Sequence, residues 1–338
     1  MRATVRDVAN LAGVSPKTVS NVINGVVPVR PETRARVEAA LAELDYVPNM
    51  SARGLRNGRS GNIALALPDL STAYSAELAR WFVELAHERG WAIQLEQTGS
   101  DPHREVELVS RARTHLIDGL VLNPTQLAMS VVQAASELPP TVVIGEVAPP
   151  HGIDQVHVDS VAAARDMTAH LLATGHRRIA VVGGSDARFR AATSVLREQG
   201  YRAALDAAGV PVDPSLNVAP HEWSAAAAAE AFGAFLDRID DLPDAVFCFT
   251  DSMAIGVLHE LACRGIRAPA QISVVGFDGI AESAYAQPAL TTVAFSKRAI
   301  ADAALTALER RIADPYAPSS DIVIPYELVH RDSVAPRR

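Results

Sequence analysis

Cysteine is almost missing from this chain. Cys248 and Cys263 are the only two in 338 residues, which excludes a fold stapled by several disulfides; Cys248 falls in an apolar strand and Cys263 in a helix, and both read as core thiols. No run of about 18 uninterrupted apolar residues occurs, so a membrane-spanning helix is not expected. The first residues, Met1 to Asp7, hold no apolar segment of the kind a secretory signal needs, which makes the cytoplasm the expected compartment. G-x-G-x-x-G, G-x-x-x-x-G-K-[ST] and H-E-x-x-H are all missing, so dinucleotide, P-loop and zinc-hydrolase readings have no motif behind them, and no cofactor or metal is expected. Long-range disorder is excluded too, because charged residues make up only 21% and hydrophobic ones 49%, enough apolar surface for real cores. The length allows two large domains, or two and a small one.

The charge is unevenly spread. Residues 1–60 carry nine Lys/Arg against five Asp/Glu, a balance of +4, whereas the whole chain stands at −8, leaving −12 for the rest. A small basic head on an acidic body suggests that the head meets a polyanion and the body does not.

That head reads as three short helices. Val5, Val8, Ala9, Ala12 and Val14 follow a helical period, and Gly13 stops the first helix. Ser15 caps the second and Pro16 opens it; Val19, Val22 and Ile23 face inward until Asn24-Gly25. The third starts at Pro31-Glu32-Thr33, buries Val37, Ala40, Leu41 and Leu44, and closes at Tyr46-Val47-Pro48. A helix, a glycine turn and a second helix form a helix-turn-helix candidate, whose second helix places its early residues in the DNA major groove. Ser15, Pro16, Lys17, Thr18, Ser20 and Asn21 occupy that place. Lys17 can reach guanine acceptors, Asn21 can pair with adenine, and the hydroxyls suit either; Arg30 and Thr33 suit phosphates. The alternative is an ordinary three-helix cap with a solvated polar face. Residues 47–60 form a polar, basic linker able to become a short helix near Asn49–Arg56 only when given a partner, since Gly54 weakens it by about 1 kcal/mol.

From Asn62 the pattern switches to alternating strands and helices. Strands are expected at Ile63–Leu67, Trp91–Leu95, Gly119–Leu122, Val142–Ile144 and Val156–Val158, then at Arg178–Gly184, Ala245–Phe249 and Ile272–Gly276. Helices are expected at Ala76–Glu88, Arg104–Thr114, Val195–Gly209, Ala225–Ile239 and Ser252–Arg264. Two such half-bodies imply an all-α head followed by two doubly wound parallel-sheet lobes with a cleft between them. The division is 1–46 for the head, 47–60 for the hinge and 61–338 for the body. The first lobe takes about 61–160 plus 292–320, and the second about 161–291 plus 321–338. Ligands in such sheets bind beyond the carboxyl ends of the strands, which makes Ser71, Tyr74, Glu146, Asp159, Asp251 and Asp278 candidates by position. Carboxylates, an Arg and aromatic rings form a plausible polyol site.

Asp7-Val8-Ala9, Ala12-Gly13-Val14-Ser15, Thr18-Val19-Ser20 and Val22-Ile23-Asn24-Gly25 form a highly specific series. Thr174–Ala180, Asp251–Gly256, Ile272–Asp278 and Leu290–Val293 agree with it further on. The chain thereby resembles the LacI-type (lactose-repressor/purine-repressor) transcription regulators over essentially its whole length. The resemblance implies base reading by Pro16, Lys17 and Asn21. It implies phosphate or flanking contacts by Thr4, Ser15, Thr18, Ser20, Asn24, Thr33, Tyr46 and Asn49. It places a minor-groove wedge at Leu55, beside Ala52, where unstacking a base step is exchanged for contact area. For the body it implies a cleft like that of periplasmic sugar-binding proteins, with Asp278 as effector-contacting acid, Arg197 as the arginine that holds polar effectors and Trp223 as a stacking ring. Thr250 stands where sugar-responsive members often carry Asn.

The expectation is therefore a non-enzymatic, nucleoid-associated regulator. It binds double-stranded, near-palindromic operator DNA as a homodimer, most often repressing a sugar uptake or catabolism operon under a small effector. Residues 330–338 carry no heptads, so a dimer is expected rather than a zipper-tethered tetramer. Two rivals are a solute-binding protein without a DNA role and an α/β hydrolase using Ser185. The second rests on Gly183-Gly184-Ser185-Asp186-Ala187, a near match to a nucleophile elbow that ends in Ala and lacks an oxyanion segment. A metal pair at His157 and Asp159, which alternate along one strand, is a weaker possibility.

Overall fold

Thr4 starts the first helix with a reciprocal cap. Its hydroxyl accepts from the Asp7 N–H at 3.4 Å, while its own N–H donates to the Asp7 carboxylate at 2.8 Å, the arrangement that satisfies two orphan amides at once. The computed structural model describes residues 3–24, 27–46, 60–99, 101–113, 117–124, 138–146, 152–184 and 192–337. They form two compact units, 1–60 and 61–338.

In the first unit α1 (Val5–Ala12), α2 (Pro16–Asn24) and α3 (Pro31–Glu43) surround one small core. Val8, Ala9, Ala12, Val19, Val22, Val37 and Ala40 are buried there, with Val5, Val14, Ile23, Leu41, Leu44 and Tyr46 packed against them. Gly13 ends α1 at φ 62°, a left-handed conformation that side chains avoid, and its N–H closes onto the Ala9 and Asn10 carbonyls. The expected hinge, with Asn49, Ala52 and Leu55, lies outside the described residues.

The second unit holds two six-stranded sheets. The first is built from β1 (Asn62–Leu67), β2 (Ala92–Gln97), β3 (Gly119–Leu122), β4 (Thr141–Ile144), β5 (Asp154–His157) and β11 (Asp321–Val323). Its order is β11-β5-β4-β3-β1-β2, all parallel. The second contains β6 (Ile179–Val182), β7 (Asn217–Val218), β8 (Ala245–Cys248), β9 (Ser273–Asp278), β10 (Thr291–Phe295) and β12 (Tyr326–Val329). Its order is β12-β10-β9-β8-β6-β7, parallel except for the antiparallel edge pair β10–β12.

Strand alternation explains why helices cover both faces of each sheet. Ile63, Leu65 and Leu67 of β1 point at α4 (Ala73–Glu88) and α10 (Lys297–Ala313), while Ala64 and Ala66 point at α5 (Pro102–Arg113). In the second sheet Phe247, Val275 and Phe277 meet α6 (Ser160–Ala173) and α7 (Ala192–Ala207). Val246, Cys248 and Val274 meet α8 (Ala225–Leu236) and α9 (Asp251–Cys263).

Two expectations need correction. The segment 292–320 does not belong wholly to the first lobe, nor 321–338 wholly to the second. Residues 291–295 pair with β9 in the second sheet, and residues 321–323 pair with β5 in the first. Only α10 between them stays with the first lobe, through Ile300, Ala301, Ala304, Leu305 and Leu308. The chain thus crosses between lobes on either side of α10. Cys263 is not a core thiol either: it is exposed at the end of α9, 3.5 Å from His259 Nε2, whereas Cys248 is buried.

Candidate functional site

Between the two sheets of the body lies a cavity of about 470 Å³. Nearly every parallel strand ends at it. The first lobe contributes Asp69 after β1, Gln97 at the end of β2, Asn123 after β3, Glu146 after β4 and His157 from β5. The second contributes Arg197 from α7, Trp223 after β7, Thr250 after β8, Asp278 from β9 and Phe295 from β10. A parallel sheet leaves its loops diverging at the carboxyl edge, and two such edges facing each other make the cleft.

Arg197 is the centre of its polar network, with only 6% of its surface exposed. Its Nε donates to the Ser160 hydroxyl at 3.2 Å and its Nη1 to the Phe249 carbonyl; Nη2 lies 3.7 Å from Asp278. The guanidinium carbon stands 3.5 Å from the Phe277 ring centroid, so one face is covered by an aromatic quadrupole. Asp278 is buried at φ 118°, a backbone conformation that a β-carbon resists. Burial pushes its carboxyl up to about 7, with the Arg197 charge pulling the other way. Glu146 is also raised by burial, opposed by Arg197 and by a hydrogen bond with Ser160. Its Oε2 is buried with no hydrogen-bond partner among the described residues. Tyr74 packs edge-on to Phe295, with 6.2 Å between ring centroids. Burial and the charge of Asp278 raise its phenol further, keeping it a hydrogen-bond donor.

The structure brings Tyr74, Glu146, Arg197, Trp223, Thr250 and Asp278 together on the cavity wall, and leaves Ser71, Asp159 and Asp251 out. Ser71 hydrogen-bonds Asp69 through its N–H at 2.9 Å and its hydroxyl at 3.0 Å, so the neighbour, not Ser71, faces the cavity. Asp159 is the cap of α6, accepting from the Ala162 N–H at 2.9 Å. Asp251 is turned away beneath the loop after β9. Its carboxylate accepts from the Ile280 N–H at 2.9 Å, the Ser283 hydroxyl at 2.6 Å and the Thr292 hydroxyl. Gly276 makes room for it, since a Cβ there would stand 2.1 Å from Asp251 Oδ1. Thr250 caps α9 by accepting from the Met253 N–H at 3.1 Å while lining the cavity. At His157 and Asp159, the His157 Nε2 pairs with Asp321 at 2.8 Å and the Asp159 carboxylate caps α6; no group of three metal-ligating side chains occurs among the described residues. Ser185 lies outside the described residues.

Sequence reasoning missed Asp69, Gln97, Asn123, His157, Thr193, His221, Glu222 and Phe295, all of which line the cavity. The signal for several was available: Asp69, Asn123 and His157 are polar residues at or just past the ends of short apolar strands.

In the head, α2 presents Lys17, Ser20 and Asn21 on the side opposite Val19 and Val22, at about 100° per residue; the side chain of Asn24 lies outside the described residues. Pro16 and Lys17 are exposed, Ser20 and Asn21 half-buried. Ser15 and Thr18 are joined hydroxyl to hydroxyl at 2.9 Å, and the Thr18 N–H donates to Ser15 at 3.1 Å. Together with Thr4 they are helix-capping residues first. Thr33 sits in the first turn of α3. The Tyr46 ring packs on the small core.

Fold and site together define a regulator class: a helix-turn-helix head joined to a two-lobed body with a ligand-sized cleft. Residues 4–49 match the model of the bacterial regulatory proteins of the lacI family, and residues 168–334 that of the periplasmic-binding-protein-like domain. The HTH-type transcriptional regulator DegA of Bacillus subtilis (strain 168) is 32% identical over 99% of both chains. The transcriptional regulator CelR–cellobiose complex is 30% identical, with a TM-score of 0.72 over 98% of this chain and 100% of that one. The lac repressor dimer bound to operator and the anti-inducer ONPF gives a TM-score of 0.85 at 26% identity over 99% and 100%. The chain belongs to the LacI family of DNA-binding transcriptional regulators. Its relatives are regulators, not enzymes.

Proposed function

We propose that this regulator represses a sugar uptake or catabolism operon, binding a near-palindromic operator as a homodimer and acting at the nucleoid. A small polyol held in the cleft controls it. The observation that carries this reading is the cavity itself, where buried acids, one clamped arginine and aromatic rings from both lobes converge. Hydroxyls donate to carboxylates, and ring faces cover apolar sugar faces. Neighbours whose structures hold cellobiose or operator DNA support the same pairing of ligand and partner. Tyr74, Glu146, Arg197, Trp223, Thr250 and Asp278 are the proposed effector contacts, joined by Asp69, Gln97 and His157. Pro16, Lys17 and Asn21 are the proposed base readers, with Leu55 as the wedge.

Lys17→Ala is the test of the head. Discrimination between operator and scrambled duplex should fall by about 1–3 kcal/mol, because one base-edge contact is lost. Non-specific binding should change little. Equal losses on both duplexes would make Lys17 a phosphate contact and contradict the assignment.

A further inference from the structure

The segment Asp278–Ala281 is held from both lobes. It leaves β9 with Asp278 at φ 118° and Gly279 at φ 63°. From its own lobe, Asp251 takes the Ile280 N–H at 2.9 Å and the Ser283 hydroxyl at 2.6 Å. From the first lobe two more side chains arrive. Lys297, the first residue of α10, donates to the Asp278 carbonyl and, at 2.8 Å, to the Gly279 carbonyl. Glu77, on α4, accepts from the Ala281 N–H at 2.6 Å through Oε1, and its Oε2 lies 3.6 Å from Lys297 Nζ. Lys297 is only 5% exposed and its Nζ lies 5.1 Å from the centroid of Phe295, a ring that lines the cavity.

An ammonium has three protons; two carbonyls take two of them, and the Glu77 carboxylate at 3.6 Å supplies the counter-charge without a hydrogen bond. Such a group is costly to strand, because a buried charge whose partner leaves loses its compensation without regaining water. Glu77 and Lys297 stand on α4 and α10, which share one core in the first lobe. Any opening that carries this lobe away from the 278–281 segment must break the Glu77–Ala281 hydrogen bond and the Lys297 bonds to the Asp278 and Gly279 carbonyls together.

We propose that Glu77 and Lys297 form a clasp between the lobes that positions Asp278 in the cleft and limits how far the lobes separate. A ligand held by Asp278 restrains the same short segment from the other side. Its binding is then coupled to the angle of the first lobe through the Lys297 and Glu77 contacts. The coupling is as large as the difference in clasp strength between open and closed states. Asp278 as an effector contact is taken from the reading above, but the clasp can be tested with neither effector nor DNA present, so that reading can fail separately.

The test is single-amide hydrogen exchange on the full chain, combined with the distance between spin labels placed at the exposed Glu84 on α4 and Glu230 on α8. In Glu77→Ala the Ala281 amide should exchange at least about tenfold faster, while Ile280, held by Asp251, keeps its wild-type rate. The interlobe distance should lengthen. Glu77→Gln retains an oxygen acceptor and should restore most of the Ala281 protection. Lys297→Met should lengthen the interlobe distance as well; should it fail to fold, the Glu77 variants decide alone. Faster exchange at Ala281 and Ile280 together would show general loosening and overturn the proposal. So would an unchanged interlobe distance in Glu77→Ala, or no recovery with Gln.

Discussion

Asp278→Asn is expected to raise the stability of the protein near neutral pH and at the same time to end its response to effector. The carboxyl is pushed from its ordinary 3.8 up to about 7 by burial. The sign follows from linkage. A group whose pKa is raised in the fold contributes stability that is fully present below its unfolded value and lost as pH rises through the folded one. The Asp278 contribution is therefore intact near pH 3.8 and gone above about pH 7. At about 1.36 kcal/mol per unit, the upper limit of the loss is about 4 kcal/mol; Asn should recover on the order of 1–3 of it, because Arg197 loses a partner. Asn also tolerates positive φ better than most residues. Chemical denaturation of wild type and variant across this range should give curves that meet near pH 4 and diverge toward pH 7, the variant lying higher. A variant less stable at pH 7 would mean that the pair with Arg197 outweighs desolvation, contrary to this account.

Arg197→Met should have the opposite and larger effect. It removes the one guanidinium that faces Asp278 and lowers the cost of ionising Glu146. Breaking a buried pair by deleting one member costs about 3–5 kcal/mol, since the remaining charge is left uncompensated. The part of the deficit that comes from Asp278 should stay level below about pH 7, where the acid is protonated in both proteins, and grow as pH rises past it. Combining it with Asp278→Asn should return a substantial part of the loss, because the stranded acid is then gone. Strict additivity of the two changes would show that the residues do not act on each other. Effector binding should be lost in all three proteins.

The head was readable because its signals are local. Gly13, Ser15 and Pro16 punctuate helices by their own backbone chemistry, and the inward valines follow a period visible in a dozen residues; the cap at Thr4 was not read. The acids of the cleft were readable only as positions. A polar residue after a strand can point into the cavity, as Asp278 and Glu146 do, or turn to cap the next helix, as Asp159 does. Asp251 stood at such a junction too, but its hydrogen bonds lie with Ile280, Ser283 and Thr292, partners distant in sequence and hidden from local patterns. A crossing near Thr291–Val293 and Ile322–Ile324 was legible, but the lobe that each strand joins was hidden for the same reason. Strands as short as Thr291–Phe295 and Asp321–Val323 carry little pattern of their own, and pairing with β9 or β5 assigns their sheet.

The helix-turn-helix head is expected to recognise DNA by sequence. Selection of binding sites from a random duplex pool with the full-length protein tests it most directly, at about 0.15 M salt so that non-specific phosphate binding is suppressed. One near-palindromic sequence should be enriched, and its recovery should be lost with Lys17→Ala. No enrichment, in buffer alone and again with a mixture of sugars present, would contradict that expectation.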